Sequence, residues 1–326
     1  MKRFTRSART CRSGNTRCAG SVRAWPKATG PSCVSANGPS SSRRRAKCRC
    51  TAWSSSPMHE INATDAVFTR AQDNDTWHAS DLARGPWDAR AQHGGAPCGL
   101  LAHLAESAVE GEGWQLARLT VELVRPVPLG ALDASVAAET GRTTSRVEVV
   151  LLAQGKPVAK AHALLIRAQP LVLPDDLVQP RVAPLRPPSD CTSALRIPGL
   201  PDVRSFYYTA MEGRVAAGTP GAPGPGAAWL RLRVPLVAGL PNSPAMRTAA
   251  AADFGNGLSW VLPADRFNFA NADISLNIAR QPSGEWIGLD SSTTLFANGR
   301  GCTVTQLHDE AGPFGMATQT LLIAAR

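Results

Sequence analysis

Asp253 is the residue of this sequence best placed for acid–base chemistry. It follows Ala249-Ala250-Ala251-Ala252. Four small side chains would let a helix approach a sheet closely and set the carboxylate in an apolar wall. Desolvation there raises a carboxyl pKa towards neutrality, which suits it to take a proton from water. A solvated Asp bonded locally at a helix end is the alternative. The second feature is His93-Gly94-Gly95, just ahead of a helix start at Pro97. Free N–H groups and the positive dipole end face outward at such a start. Glycine lets a carbonyl approach the backbone, so Gly94 and Gly95 are candidate oxyanion donors. A tight turn needing positive φ competes with that role. His93 either contacts substrate or shapes the turn.

Other chemistries lack their motifs. There is no Gly-x-Ser-x-Gly for a nucleophilic serine and no Gly-x-x-x-x-Gly-Lys phosphate loop. Asp253-Phe254-Gly255 spells a kinase motif without its companions. Cys48-Arg49-Cys50 lacks zinc-ligand spacing, and no metal is expected. Glu106 is expected to be solvated or paired, and Trp87 and Trp260 to be packing residues.

The elements that must position these residues come in two similar sets. The first has a strand at Asn74–Ala79, a turn at Arg84–Trp87, and a helix with apolar Leu100, Leu101, Leu104, Ala105 and Ala108. Gly111 and Gly113 stop it, and strands follow at Leu116–Val124, Ala131–Glu139, Arg146–Gln154 and Pro157–Arg167, in antiparallel succession. Residues 169–204 are rich in proline and read as a linker or extended segment. The second set begins with strands at Phe206–Arg214 and Ala228–Arg233. A helix follows, with Ser243 as N-cap, Pro244 in its first position and Gly255 at its end. Strands resume at Asn271–Arg280, Trp286–Phe296, Cys302–Asp309 and Phe314–Ile323. This repeat of strand, helix and four strands implies an α+β architecture, a long antiparallel sheet around a central helix in each half.

The chain has 326 residues, which suits two domains. Its net charge of +10 is misleading. Residues 1–57 hold 13 Lys and Arg and no acid, whereas the remaining 269 hold 22 Lys and Arg against 25 acids. The basic segment has eleven Ser, five of the eight Cys, and no Leu or Ile, so it is expected to be disordered. Its composition is that of GC-rich DNA read in the wrong frame, and Met58 is the expected natural start. A targeting peptide or a basic nucleic-acid arm are the alternatives. The three cysteines left, Cys98, Cys191 and Cys302, suit a reducing compartment. No run reaches the ~18 apolar residues of a membrane helix, so helical membrane insertion is not expected.

Three segments resemble the acyl-CoA thioesterase II, or TesB-like, family, whose fold is a tandem (double) hotdog. They are "RGPWDARAQHGGAPCGLLAHL", the Ala-rich helix ending near Asp253, and the C-terminal run from Asn271 that delivers Gln319. The resemblance covers about residues 66–326. It implies hotdog domains at 58–168 and 205–326. It also implies that water is activated by an Asp on the second helix with a hydroxyl residue and a Gln. The Asp falls on Asp253 and the Gln on Gln319. The hydroxyl position falls on Asn271, a departure, since an amide can hold a water but has no hydroxyl.

The expectation is a cytoplasmic, cofactor-independent thioesterase that takes acyl-CoA as substrate and binds no nucleic acid. A homodimer or larger assembly is implied, and open edge strands would favour it. Arg118, Arg125 and Arg280 are scattered candidates for coenzyme A contacts. One rival is a hydratase-type enzyme, which would carry an Asp and a His a few residues apart; no such pair follows Asp253. Another is a non-catalytic acyl-CoA or fatty-acyl binder.

Overall fold

The computed structural model describes residues 60–326 except 73–74, 179–181, 198 and 264–265; the basic segment 1–57 lies outside the described residues. In chain order the first half has strands β1 (Phe68–Arg70) and β2 (Thr76–Ala79), helix α1 (Gly95–Ser107), then β3 (Trp114–Glu122), β4 (Gly130–Thr140), β5 (Thr144–Ala153) and β6 (Lys156–Arg167). The second half has β7 (Met211–Ala217), β8 (Gly226–Leu232), α2 (Pro244–Ala252) and a four-residue α3 (Gly255–Leu258). It ends with β9 (Phe267–Asn271), β10 (Asp273–Ile278), β11 (Ile287–Phe296), β12 (Arg300–Asp309) and β13 (Gly312–Ala325).

Alternation sets the strand faces. In β5, Val147, Val149 and Leu151 are buried while Arg146 and Glu148 are exposed. Small residues on β6, Ala159, Ala161 and Ala163, keep the floor beneath α1 shallow.

The sheet runs β1-β2-β4-β5-β6-β3-β10-β13-β12-β11-β8-β7. Each half therefore repeats one order, β2-β4-β5-β6-β3 and β8-β11-β12-β13-β10. The two meet where β3 and β10 pair antiparallel, Leu119 opposite Leu276 and Val121 opposite Ile274. This is the α+β double hotdog expected from the sequence. The four strands are not in simple succession, however. The strand after each helix crosses to the far side and pairs with the last, β3 with β6 and β10 with β13.

Three local expectations change. Phe206–Ala210 is one π-helical turn, with the Ala210 N–H reaching back to Ser205 O at 3.1 Å, and only Met211 onward is strand. Gly255 opens α3 rather than ending α2. The edges of the sheet are also covered. Phe68 N–H bonds Leu236 O at 2.8 Å beside β1, and Leu195 N–H bonds Gly213 O at 2.8 Å beside β7. The second of these bonds comes from the proline-rich stretch, which runs extended along the second half.

The helices lie antiparallel against each other. A side chain on Gly95 would strike Ala250 O, and one on Gly99 would meet Leu236 and Ala250. At the other end the Ser243 hydroxyl, which accepts from Met246 N–H as N-cap, donates to Glu106 Oε2 at 2.5 Å. The alanine run thus serves close approach to another helix, with Ala249–Ala252 fully buried. Burial raises the Glu106 pKa, against Ser243 and Arg247, which lower it.

Candidate active site

Asp253 sits where α2 stops. Its backbone carbonyl is one of the orphaned acceptors of a helix C-terminus, and Gln319 on β13 supplies the partner through Nε2 at 3.2 Å. The same Gln319 accepts the Asn256 N–H at 3.0 Å through Oε1, tying α3 to the sheet. Beneath α3 the inward positions of β11 and β12 are polar. Ser291 and Thr305 share a bond of 2.9 Å, and Thr293 and Thr303 one of 2.7 Å. Gly255 rests on this layer: a Cβ there would lie 2.5 Å from Thr305 Oγ1 and 2.7 Å from Gln319 Oε1.

The Asp253 side chain points the other way, and it is almost fully buried. Oδ2 lies 2.9 Å from His93 Nδ1, and Oδ1 accepts from Asn271 Nδ2 at 2.7 Å. Gly95 N–H is 3.1 Å from the same His93 Nδ1 and also bonds the carboxylate. These contacts compete, because one nitrogen cannot accept from Gly95 while donating to Asp253. An ionised carboxylate only accepts, so Nδ1 carries the proton and the Gly95 N–H belongs to Asp253. Nε2 is then the imidazole's acceptor.

Burial pushes the Asp253 pKa up. The His93 imidazole and the Asn271 and Gly95 bonds pull it down and win, leaving it below the usual aspartate value. The apolar wall expected to bring this carboxyl towards neutrality is outweighed by its donors. Gly94 has a steric reason to be glycine as well, since a Cβ would stand 2.8 Å from both carboxylate oxygens.

Asn271 ends β9, opposite Leu321. Asp253 fixes its amide orientation, because a flip would set oxygen against oxygen. Its Oδ1 is then buried without a partner among the described residues. The His93 ring packs on Phe254 at 4.5 Å and on Phe206 at 5.3 Å between centroids.

A cavity of about 550 Å³ opens beside this cluster, within the range of small-molecule sites. Asp253, His93, Gly94 and Asn271 line it; Gly95 and Gln319 stand behind. Of the three arginines singled out by sequence, Arg125 lines the cavity. Arg118 is exposed on β3, and Arg280 is held by Asp309 at 2.5 and 2.6 Å. Trp260 is buried as expected, but Trp87 is 59% exposed at the cavity, its ring 6.3 Å from that of Trp260.

Sequence reasoning missed Tyr207 and Tyr208 as site residues. In a strand, Phe206-Tyr207-Tyr208 would alternate between faces. The π turn instead sends Phe206 against His93 and both tyrosines to the cavity wall. Such turns gather at functional sites. Three consecutive aromatic residues in a supposed half-buried strand were the available signal. Burial, with Tyr208 adding, pushes the Tyr207 phenol up to about 12.

Residues 83–166 match the family model of the acyl-CoA thioesterase N-terminal domain, and residues 188–323 match that of the C-terminal domain. No curated protein matches the chain. Among solved structures, a candidate thioesterase from Novosphingobium aromaticivorans is 25% identical, with TM-score 0.60 over 78% of this chain and 98% of its own. A hot dog fold protein of unknown function from Alicyclobacillus acidocaldarius is 16% identical, with TM-score 0.60 over 82% and 100%. The acyl-CoA thioesterase II TesB2 of Mycobacterium marinum is 17% identical, with TM-score 0.52 over 77% and 92%.

Proposed function

Since the chain belongs to the acyl-CoA thioesterase family, we propose that it hydrolyses acyl-CoA to a free acid and coenzyme A by direct attack of water. The observation that carries this reading is the buried Asp253 carboxylate, bonded to His93 and Asn271 at the wall of a cavity. Asp253 is held ionised by three donors, which makes it a weak proton acceptor. It serves better to fix the His93 tautomer and to balance an imidazolium. His93 Nε2 then takes a proton from water as the water oxygen bonds to the thioester carbon. Gly94, which lines the cavity at the helix start, offers its N–H to the oxyanion. As the C–S bond breaks, the imidazolium returns its proton to the departing thiolate. Asn271 and Gln319 act as holders, Asn271 of the carboxylate and Gln319 of the α2–α3 junction that presents it.

Arg125 and Arg326, both lining the cavity, supply positive charge for the phosphates of coenzyme A. The same reading keeps hotdog units at 58–168 and 205–326 with a linker at 169–204, and a cytoplasmic protein without cofactor. Three free cysteines among the described residues agree with a reducing compartment. No described helix is long and apolar enough to cross a membrane. A homodimer or larger assembly would use the outer sheet face, where Val304, Met316 and Leu322 are exposed, because the edges are occupied.

A hydratase-type reaction is the second reading. His93 and Asp253 are 160 positions apart, yet they meet at 2.9 Å, so their distance in sequence no longer counts against such a pair. One assay separates the two. Acyl-CoA and enoyl-CoA panels are followed for free thiol and for loss of enoyl absorbance. Thiol release supports hydrolysis; loss of enoyl absorbance without thiol replaces it with hydration. Binding with neither signal leaves an acyl-CoA binder.

A further inference from the structure

The cavity wall is unusual for this sequence. Phe, Trp and Tyr make up 6% of the chain, yet seven of them line this one cavity, including both tyrosines. Phe254 lies against His93, and the others are Trp87, Tyr207, Tyr208, Trp260, Phe267 and Phe269.

The rings are held as surfaces rather than as polar groups. The Tyr207 hydroxyl donates to Pro201 O at 2.7 Å. The Tyr208 hydroxyl donates to Ile197 O at 3.1 Å and accepts from Ile197 N–H at 3.0 Å. Both phenols are thus spent on one loop; Arg196 covers the Tyr208 ring at 4.4 Å, and the Tyr207 ring, 4.3 Å from that of Tyr208, lines the cavity. Trp260 is fixed edge-on to Phe269 at 5.4 Å. Trp87, more than half exposed beside it, is a large apolar ring without a full partner. Flexible alkyl chains need only apolar area. Fixed rings add a geometric preference, since aromatic pairs favour offset or edge-to-face contact at 4.5–7 Å.

We infer that the acyl groups this site takes best are aromatic, ring-bearing acids carried as coenzyme A thioesters. The inference names the substrate class of the proposed thioesterase site and rests on that reading. A ring entering the cavity stacks against Trp87 and Tyr207 and removes the exposed Trp87 face from water. The thioester carbon is then held at the His93–Gly94 end.

The test pairs ring-bearing and straight-chain acyl-CoAs of equal carbon number in a thiol-release assay. Non-hydrolysable aryl and alkyl coenzyme A thioethers are titrated alongside by calorimetry. The expected result is a kcat/KM at least about tenfold higher for the ring-bearing esters, with the same order of affinity among the thioethers. Trp87→Ala and Tyr207→Leu should each lower the ring-to-chain ratio by about fivefold to tenfold. Straight chains handled as well as rings, in hydrolysis and in binding, overturn the inference and leave the thioesterase intact. Tighter aryl thioether binding without thiol release from any ester keeps the ring preference and removes the hydrolysis. Failure of every thioether to bind overturns both.

Discussion

Replacing Asp253 by Asn tests whether the carboxylate works through its charge. The amide has nearly the same size, so the close contact with Gly94 is kept. What changes is that one acceptor oxygen becomes a donor facing either Asn271 at 2.7 Å or His93 at 2.9 Å. Asn271 can adapt by turning its partnerless Oδ1 towards the new amide. The fold should therefore survive, with a melting temperature within a few degrees of wild type. The lost charge cannot be replaced. A unit charge 2.9 Å from an imidazolium is worth at most about 6 kcal/mol at an effective dielectric near 20. At ~1.4 kcal/mol per tenfold, that caps the loss at roughly four decades. General-base assistance commonly contributes about 10²–10⁴. Asp253→Asn should thus lower kcat by about 10²–10⁴ in the thiol-release assay, with much less effect on KM. A variant that folds and stays within about tenfold of wild type would refute the argument. His93→Gln belongs beside it. Normal turnover in that variant, with Asp253→Asn inactive, would assign the proton to the carboxylate itself.

Three further outcomes follow from the geometry. Gly95→Ala drives a methyl into Ala250 O and Phe206, and overpacking of this kind costs about 1–3 kcal/mol, or some 2–10 °C in Tm by calorimetry. Gln319→Leu leaves the Asn256 N–H without a partner and the Asp253 carbonyl with only the longer Asn271 bond at 3.4 Å, so it should lower Tm at a cost of about 1–3 kcal/mol for the orphaned group. Any loss of activity should track unfolding, and a folded but inactive variant would move Gln319 into the chemistry. Asp309 is buried; burial raises its pKa, but Arg280 and Ser283 hold it well below the usual carboxylate range. A depressed folded pKa gives stability that is full above the unfolded value near 3.9 and is lost as pH falls below it. Thermal scans should therefore show Tm dropping below about pH 4, and Asp309→Asn should be less stable at neutral pH and flatter in that window.

Much of the scaffold was legible because its signals are local. Ser243 and Pro244 mark a helix start through capping geometry that needs no distant partner. Period-two burial located β5, and the repeat of one strand–helix order in each half revealed the duplication. The site was legible only in part. The alanine run announced a close approach, but to a sheet, whereas its partner is the glycine-bearing start of α1. Burial of Asp253 could be expected, but the direction of its pKa could not, because that is decided by His93, 160 positions away. The π turn at Phe206–Ala210 was hidden because the strand propensity of aromatic residues points to the wrong element, and only their occurrence three in a row spoke against it.

The antiparallel helix pair explains why the duplicated halves show one such site rather than two among the described residues. It sets the start of α1 beside the end of α2, and the start of α2 beside the end of α1. At the first junction His93, Gly94 and Gly95 meet Asp253, and glycine leaves room for a carboxylate facing a cavity. At the second, a serine stands at the helix start, and its hydroxyl closes on Glu106 at 2.5 Å. That bond caps α2 and uses the carboxylate as a strut. The two junctions thus divide the work, one fixing the helix pair and the other freed for chemistry. Replacing Ser243 by Ala should accordingly loosen the pair, by the ~1 kcal/mol of a lost cap plus the exposure of Glu106 to an unpaired burial, while the geometry around Asp253 stays intact. A measured loss of Tm with kcat unchanged would bear this out, and a loss of kcat without a change in Tm would overturn it.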